Sequence, residues 1–327
     1  MIFRLLLLCL LISIEGMSQT LGCTDILAKN YNAKATVNDG SCIYKKERIN
    51  LTHSFILNPK LKETSGLIQW NNRLWTHNDD TDTNLYALDT VKGEILETYN
   101  LPKVTNTDWE EISQDENYLY IGDFGNNASG NRTDLHILRI EKKALLANNP
   151  VINKIEFQYS NQTNFTRQFA NKTDFDCEAF VVTKDSIYLF TKEWKSKQTT
   201  IYSLPKLPGK YIAQQKEVYT IEGLVTGATY LEAKKRLVLC GYTRDGKPFV
   251  NLFYDFKENN FFAGNKIKIK LKTRFLQIEG IATNDGLHYY ITNEELKFVL
   301  ANNPQQMHVF DFSKYLKPFI DSNNQKN

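Results

Sequence analysis

Five short segments of this 327-residue chain carry an oxygen-bearing side chain at the same point of a recurring pattern. In four of the segments that residue precedes two small or apolar residues, in the fifth Glu110 precedes Glu111 and Ile112, and a β-rich run follows about ten residues later in each. Carboxylate and hydroxyl oxygens are the ligands that calcium prefers in proteins. A fold that gathers these side chains would therefore create a cation site. The five residues are Ser65, Glu110, Glu178, Thr226 and Glu279.

The elements that must position these residues are strands. The segments recur about every 50 residues, which is the length of one four-stranded blade of a β-propeller. Turn-forming residues such as Asn71-Asn72 and Asn284-Asp285-Gly286 lie where the first hairpin of a repeat would turn. The sequence predicts third strands at residues 84–88, 135–140, 200–204, 250–254 and 307–312, and fourth strands at 95–99, 154–159, 217–221 and 266–271.

The fifth repeat lacks a convincing fourth strand, because residues 315–320 form a short segment that includes Pro318. A strand at residues 50–57 precedes the first repeat and would complete the fifth, which removes exposed sheet edges. We therefore predict an all-β, five-bladed β-propeller at residues 48–320, closed by an N-terminal strand. A six-bladed alternative would need another blade within residues 141–175, and that segment is too polar for one.

Residues that begin the innermost strands of a propeller lie at one mouth of its central channel. Three glutamates meeting there could not all stay ionised without compensating charge. Calcium would supply that charge, whereas no cluster of histidines or cysteines favours zinc or copper. Alternatively, each of the five residues could hydrogen-bond backbone N–H groups of the next blade without any metal.

The ordered set of first-strand motifs resembles the SdiA-regulated domain family over residues 50–315. The motifs are Ser65-Gly66-Leu67, Asp108-Trp109-Glu110-Glu111, Glu178-Ala179-Phe180, Thr226-Gly227-Ala228 and Glu279-Gly280-Ile281. This resemblance implies a five-bladed propeller around a central calcium. Glu111 and Ala179 stand where that family has glycine, and Thr226 stands where it has serine. The calcium-activated nucleotidases are also similar in blade number and ligand order, which implies hydrolysis of nucleoside phosphates as an alternative.

The ends of the second strands place further polar residues around the same predicted mouth. These rim residues are Asn78, Asp79, Asp123, Lys192, Glu193, Arg244, Asn293 and Glu294. One hypothesis is a calcium-dependent hydrolase of phosphoesters or nucleotides, in which Asp79 or Asp123 activates water. Lys192 and Arg244 would then stabilise the developing charge.

The mouth is net acidic, however, and only two cations are positioned to attract a polyanion. No phosphate-binding loop and no nucleophile elbow occurs in the sequence. We therefore favour a binding or structural module that recognises a small molecule, a glycan or a peptide at the mouth. Whether the protein is an enzyme stays open at this point.

The first residues and the net charge bear on the location of the protein. Residues 1–18 have the pattern of a signal peptide, with Arg4, an apolar stretch at 5–14 and small residues before Gln19. That stretch is too short to span a membrane, and no later apolar stretch is longer. The net charge of +3 is too small to indicate nucleic-acid binding. We expect an exported monomer (secreted, periplasmic or at the cell surface) with a disordered tail at residues 321–327.

Residues 19–45 contain Cys23 and Cys42 and resemble a small Cys-flanked module of secreted Bacteroidota proteins. The resemblance implies a disulfide between the two cysteines, which would stabilise so small a loop by about 3 kcal/mol. The Asp and Asn residues of this module could ligate calcium or form turns. Cys177 and Cys240 lie in different repeats and could be bonded to each other or remain buried thiols.

Overall fold

The computed structural model describes residues 19–297 and 302–324, and the predicted signal peptide at 1–18 lies outside the described residues. The strands are β1 (Leu21–Gly22), β2 (Val37–Asn38), β3 (Glu47–Ile49), β4 (His53–Ile56), β5 (Thr64–Trp70), β6 (Arg73–Asn78), β7 (Asn84–Leu88), β8 (Ile95–Asn100), β9 (Trp109–Gln114), β10 (Tyr118–Asp123), β11 (His136–Glu141), β12 (Ile152–Tyr159), β13 (Cys177–Val182), β14 (Ser186–Thr191), β15 (Thr199–Pro205), β16 (Gly209–Tyr219), β17 (Leu224–Leu231), β18 (Arg236–Tyr242), β19 (Pro248–Tyr254), β20 (Asn265–Leu271), β21 (Ile278–Ala282), β22 (His288–Asn293), β23 (Leu296–Lys297), β24 (Asn302–Asn303) and β25 (Gln306–Asp311). The α-helices are α1 (Lys142–Leu146) and α2 (Ser313–Asn324), and short 3-10 helices lie at Pro59–Leu61 and Glu232–Lys234.

The larger sheets follow the order of the chain. Strands β5 to β8 form one sheet, and β17 to β20 form another with β3 at its edge. Strands β21, β22, β25 and β4 form a third. Strands β9 to β16 belong to one eight-stranded sheet, because β12 and β16 pair in parallel and join two groups of four antiparallel strands. The sequence pattern did not predict this junction.

The first strands of these groups form a closed ring. Strand β5 contacts β9, β9 contacts β13, β13 contacts β17, β17 contacts β21, and β21 returns to β5. The hydrophobic core lies between successive sheets; Trp75 of β6 and Trp109 of β9, for example, belong to one buried cluster. The described chain is thus an all-β propeller, as predicted, and the starts of its first strands meet around the axis.

Two N-terminal strands complete sheets formed by later parts of the chain. Strand β4 pairs antiparallel with β25, so the predicted strand at residues 50–57 does close the ring. Strand β3 pairs in parallel with β20, which was not predicted. Residues 141–175, all of them described, contain α1 and β12 and no further strand that could begin another sheet.

The N-terminal module has the predicted disulfide between Cys23 and Cys42. It packs on the sheet of β17 to β20 through Asp25, whose carboxylate accepts hydrogen bonds from the hydroxyls of Tyr44 and Tyr254. Cys177 and Cys240 are both buried and free.

The C-terminal segment differs from the expectation for residues 315–320 and 321–327. Residues 313–324 form helix α2 with Pro318 inside it, and Tyr315 and Leu316 pack into the core. The first residues of the predicted tail are therefore the end of this helix, and residues 325–327 lie outside the described part. Within that part, no helix is long and apolar enough to cross a membrane.

Candidate metal and ligand site

The predicted ligand residues lie at β-bulges near the starts of the first strands. Glu178 falls between the paired residues Cys177 and Ala179 and has no partner on β14, and Glu279 is unpaired in the same way between Ile278 and Gly280. Glu110 and Thr226 are likewise passed over in the registers of β9 with β10 and β17 with β18. The register of β5 also shifts, between Ser65 and Ile68. A bulge redirects a side chain out of the regular alternation, so these residues need not follow the pleat of their strands.

Three carboxylates converge in the buried interior of the mouth. One oxygen each of Glu110, Asp176 and Glu178 lies within 4.8 Å of the other two. We call these residues the inner triad. Asp176 was missing from the sequence prediction, although Asp-x-Glu occurs both at Asp108-Trp109-Glu110 and at Asp176-Cys177-Glu178. That shared motif was the signal that could have identified it.

The protein supplies too little positive charge to keep all three carboxylates of the inner triad ionised. Burial raises the pKa of Glu110 and Glu178 well above the ordinary value, and the neighbouring carboxylates raise it further. Asp176 is held by the backbone N–H of Asn126 at 2.7 Å and by the indole N–H of Trp194 at 2.7 Å. These contacts orient one carboxylate but bring no formal charge.

Lys192 is the cation that contacts this group. It forms an ion pair with Glu178, and its ammonium lies 4.9 Å from the ring centre of Trp194 and 5.4 Å from that of Tyr242. Burial lowers the pKa of Lys192, but Glu178 and other anionic neighbours raise it well above the ordinary value. Lys192 is therefore charged, and it offsets a single negative charge.

Glu279 approaches the same group from β21. Its side chain is 6% exposed, and its Oε2 has no hydrogen-bond partner among the described residues. Burial is the first cause that raises the pKa of Glu279, and Glu178 adds to it while Lys192 opposes it. A buried carboxylate oxygen without a partner is costly, and a cation would remove that cost.

The two predicted hydroxyl ligands connect neighbouring first strands. Ser65 Oγ donates to the carbonyl of Glu110 at 2.6 Å, and the Thr226 hydroxyl donates to the carbonyl of Ile278. Each bond joins one first strand to the next around the ring. A hydroxyl that donates in this way keeps lone pairs that could face a cation.

Glu111 is a further buried acid that the sequence prediction did not assign. Its carboxylate accepts backbone N–H groups from Leu67 at 3.3 Å, Ile112 at 3.0 Å and Ala228 at 2.7 Å. These donors belong to β5, β9 and β17, so one side chain connects three first strands. Backbone hydrogen bonding was the metal-free alternative for the predicted ligands, and here the neighbour of Glu110 performs it.

A second acidic group lies nearer the surface of the mouth. One oxygen each of Glu63, Asp79 and Glu294 lies within 4.8 Å of the others, and all three residues are half-buried. We call them the outer triad. Burial and the neighbouring acids raise the pKa of Asp79 to about 7 and that of Glu294 to about 8. The sequence placed Asp79 and Glu294 on the rim but missed Glu63.

Several other predicted rim residues already have protein partners. Asp123 is fully buried and bonded to Arg132 at 2.7 Å. Glu193 accepts hydrogen bonds from Thr191, Thr200 and Ser196. These two carboxylates hold loops together within the protein.

The remaining rim residues are also anchored. Asn78 donates to the carbonyl of Lys60 at 2.8 Å, and Asn293 to that of Pro304 at 3.0 Å. The exposed Arg244 donates to the carbonyl of Trp194. With Trp194 and Tyr242, Arg244 lines a cavity of about 350 Å³.

No protein-family model matches the chain. No curated protein matches it. Among solved structures, the chain is similar to the RRP9 WD40 repeats, with a TM-score of 0.40 and 9% identity, covering 81% of this chain and 100% of that chain. It is also similar to a chain of the mitotic checkpoint complex, with a TM-score of 0.42 and 9% identity, covering 82% of this chain and 96% of that chain. The computationally designed Ika4 protein gives a TM-score of 0.32 and 11% identity, covering 61% of this chain and 96% of that chain. Likenesses this distant say nothing about a ligand or an activity.

Proposed function

We propose that this protein is a ligand-binding propeller with calcium at the inner mouth of its channel. The observation that carries the proposal is the buried inner triad together with the unpartnered oxygen of Glu279. Calcium ligands lie about 2.3–2.6 Å from the ion, so oxygens on opposite sides of it are about 5 Å apart. The 4.8 Å limit on the inner triad fits that spacing.

Glu110, Asp176, Glu178 and Glu279 would hold the ion, with the hydroxyls of Ser65 and Thr226 near the starts of their strands as further oxygen donors. The ion would supply positive charge where Lys192 alone is insufficient. Glu178 can keep its ion pair with Lys192 through Oε2 and offer its other oxygen. Because these residues come from five first strands, the ion would also fasten those strands together.

The resemblance to the SdiA-regulated domain family, five blades and export belong to this proposal. Five first strands in contact around the ring support the blade number. The disulfide between Cys23 and Cys42 is compatible with an oxidising compartment. The signal pattern at residues 1–18 supports export.

Two of the predicted catalytic groups already form ion pairs within the protein, and this favours binding over hydrolysis. Asp123 is buried against Arg132, and Lys192 is bound to Glu178. A ligand at the mouth would instead meet the cavity of about 350 Å³ beside Trp194, Tyr242 and Arg244. Aromatic rings and a guanidinium there suit a small molecule, a glycan or a peptide.

The first test is thermal unfolding of residues 19–327 with calcium and with a chelator. We expect calcium to raise the midpoint of the wild-type protein by several degrees, because a ligand that binds only the folded state stabilises it. Glu110→Gln and Asp176→Asn should abolish the shift. Glu116→Gln, an exposed acid in the turn between β9 and β10, should retain it. An equal midpoint with calcium and chelator for the wild type would refute the calcium site.

A calcium-dependent hydrolase remains the second candidate because of Asp79, whose pKa is raised by burial and nearby acids to about 7. A carboxyl with that pKa can act as a general base near neutral pH. The test is phosphate release from nucleoside diphosphates with calcium. Activity in the wild type that Asp79→Asn lowers at least about a hundredfold would favour this candidate. No release would leave binding as the function.

A further inference from the structure

A groove of about 330 Å³ at the edge of the sheet of β17 to β20 is lined by cations. The cationic lining residues are Arg48, Lys247, Lys270, Lys272 and Arg274, and none of the described carboxylates lines the groove. The whole chain carries a net charge of only +3, so this is a local concentration of positive charge. We call it the cationic groove.

The pairing of β3 with β20 places two of these cations directly opposite each other. In that parallel register Lys270 faces Arg48, and both residues are exposed. Like charges directly opposite on neighbouring strands destabilise a sheet. The nearest acid on β3 is Glu47, but its carboxylate is bonded to Lys314 at 3.1 Å. The sheet therefore keeps an unfavourable pair that its own acids do not relieve.

Two of the other three groove cations are similarly uncompensated. Within residues 19–297 and 302–324, the side chains of Lys272 and Arg274, like those of Arg48 and Lys270, make no hydrogen bond or ion pair. Lys247, the remaining member, pairs with Asp245. Four positive charges in one groove therefore have no partner among the described residues.

Lysines elsewhere on the same strand show that this is not general for β20. Lys266 donates to the carbonyls of Phe262 at 2.9 Å and Gly264 at 3.0 Å. Lys268 donates to backbone carbonyls as well, at Ile221 and Glu222. Among the described residues, Lys270, the last lysine of β20, has no such partner, and it is the one that lies opposite Arg48.

We propose that the cationic groove binds a phosphate or sulfate ester carried by a soluble ligand. A guanidinium matches two oxygens of such a group at once, and the lysines add charge around it. The cations line a concave groove, whereas a bilayer surface is flat on this scale and would not reach its floor. None of the residues that line the groove belongs to the inner or the outer triad, whose acids would repel the same anion.

The experiment measures anisotropy of a fluorescein-labelled heparin tetrasaccharide, and its displacement by inorganic tripolyphosphate, at about 50 mM and about 300 mM salt. We expect saturable binding of the tetrasaccharide that weakens at the higher salt. Lys270→Glu should weaken it at least about tenfold. The same substitution would place an acid opposite Arg48, so the thermal midpoint should be unchanged or higher. Loss of binding in a variant that is no less stable cannot be ascribed to misfolding.

The matched control is Lys154→Glu, which changes an exposed strand lysine in the eight-stranded sheet. It should leave affinity within about twofold. Three outcomes would overturn the proposal: no saturable binding of either probe, an equal loss in the control, or tighter binding to anionic phospholipid vesicles or duplex DNA than to the tetrasaccharide. Calcium and chelator should give the same affinity, because no residue of the inner triad lines the groove.

Discussion

Glu111 is a single side chain that forms hydrogen bonds with three of the first strands. Its carboxylate takes backbone N–H groups from β5, β9 and β17, and it is fully buried. Burial raises the pKa of Glu111 well above the ordinary value, while these backbone hydrogen bonds lower it. The residue thus makes interstrand contacts that a glycine at this position could not make.

Glu111→Gln should lower the free energy of unfolding by about 1–3 kcal/mol. The amide keeps one acceptor oxygen but turns an NH₂ group toward an N–H donor, so at least one bond is lost. Urea unfolding would measure the change, with Glu116→Gln as the exposed control. If both variants unfolded at the same urea concentration as the wild type, Glu111 would not hold the strands together.

The acids of the mouth should make the calcium-free protein less stable as pH rises. Burial is the first cause that raises the pKa of Asp108 to about 6, Asp79 to about 7 and Glu294 to about 8. Between the unfolded value near 4 and these folded values, the folded state binds more protons than the unfolded state. Stability is therefore highest below the unfolded value and falls as pH rises through about 8.

Unfolding midpoints in chelator at pH 5, 6, 7 and 8 would measure this decline. Asp79→Asn combined with Glu294→Gln should flatten it, because neither amide titrates. Calcium should also reduce it by balancing the ionised carboxylates. A midpoint that stays level between pH 5 and pH 8 in chelator would contradict the raised pKa values.

At the scale of the element, the β-bulges of the first strands set the directions of the predicted ligand side chains. Gly280 follows the bulged Glu279, and a methyl group there would come within 2.6 Å of Thr292 Oγ1, 2.8 Å of Leu67 Cβ and 2.9 Å of the Gly66 carbonyl carbon. Strands β21 and β5 approach this closely because the residue between them has no side chain. The bulge and the glycine together set the direction of Glu279.

Gly280→Ala should therefore lower the free energy of unfolding by about 1–3 kcal/mol and weaken calcium binding as well. The backbone must shift to admit the methyl group, which displaces Glu279. Calorimetric titration with calcium and urea unfolding would measure both effects. Unchanged calcium affinity in a destabilised variant would show that Glu279 is not a ligand.

The N-terminal module is an element fastened by one covalent bond. Cys23→Ser with Cys42→Ser should destabilise the protein by about 3 kcal/mol, since the bond constrains the unfolded chain. Thiol labelling of intact residues 19–327 should find none reactive in the native state and Cys177 and Cys240 reactive in denaturant. Labelling of all four cysteines in denaturant would show that the Cys23–Cys42 bond is absent.

At the scale of the whole molecule, charge is divided between two separate places. Carboxylates collect at the mouth around Lys192, and unpaired cations collect in the groove beside β3. The net charge of +3 does not reveal either of these local concentrations of charge. Ligands of opposite charge would follow: a cation at the mouth and an anionic ester at the groove. Each proposed binding site is tested by its own experiment, so one can be refuted without the other.

The sequence by itself determined the propeller, its closing strand and the strand ends at which the candidate site lies. Period-two strands, turn residues and the recurring Ser, Thr and Glu carry that information locally, because each depends on residues near it in the chain. Only the tertiary structure decided which of those residues meet. Asp176 joined the inner triad and Glu63 the outer one because loops from different repeats converge. Asp123 is paired with Arg132, and Arg48 lies opposite Lys270, because of a fold and a strand register that no local pattern encodes. Which side chains touch at the axis is a property of contacts between distant segments, whereas the spacing along the chain specifies only the mouth at which they lie.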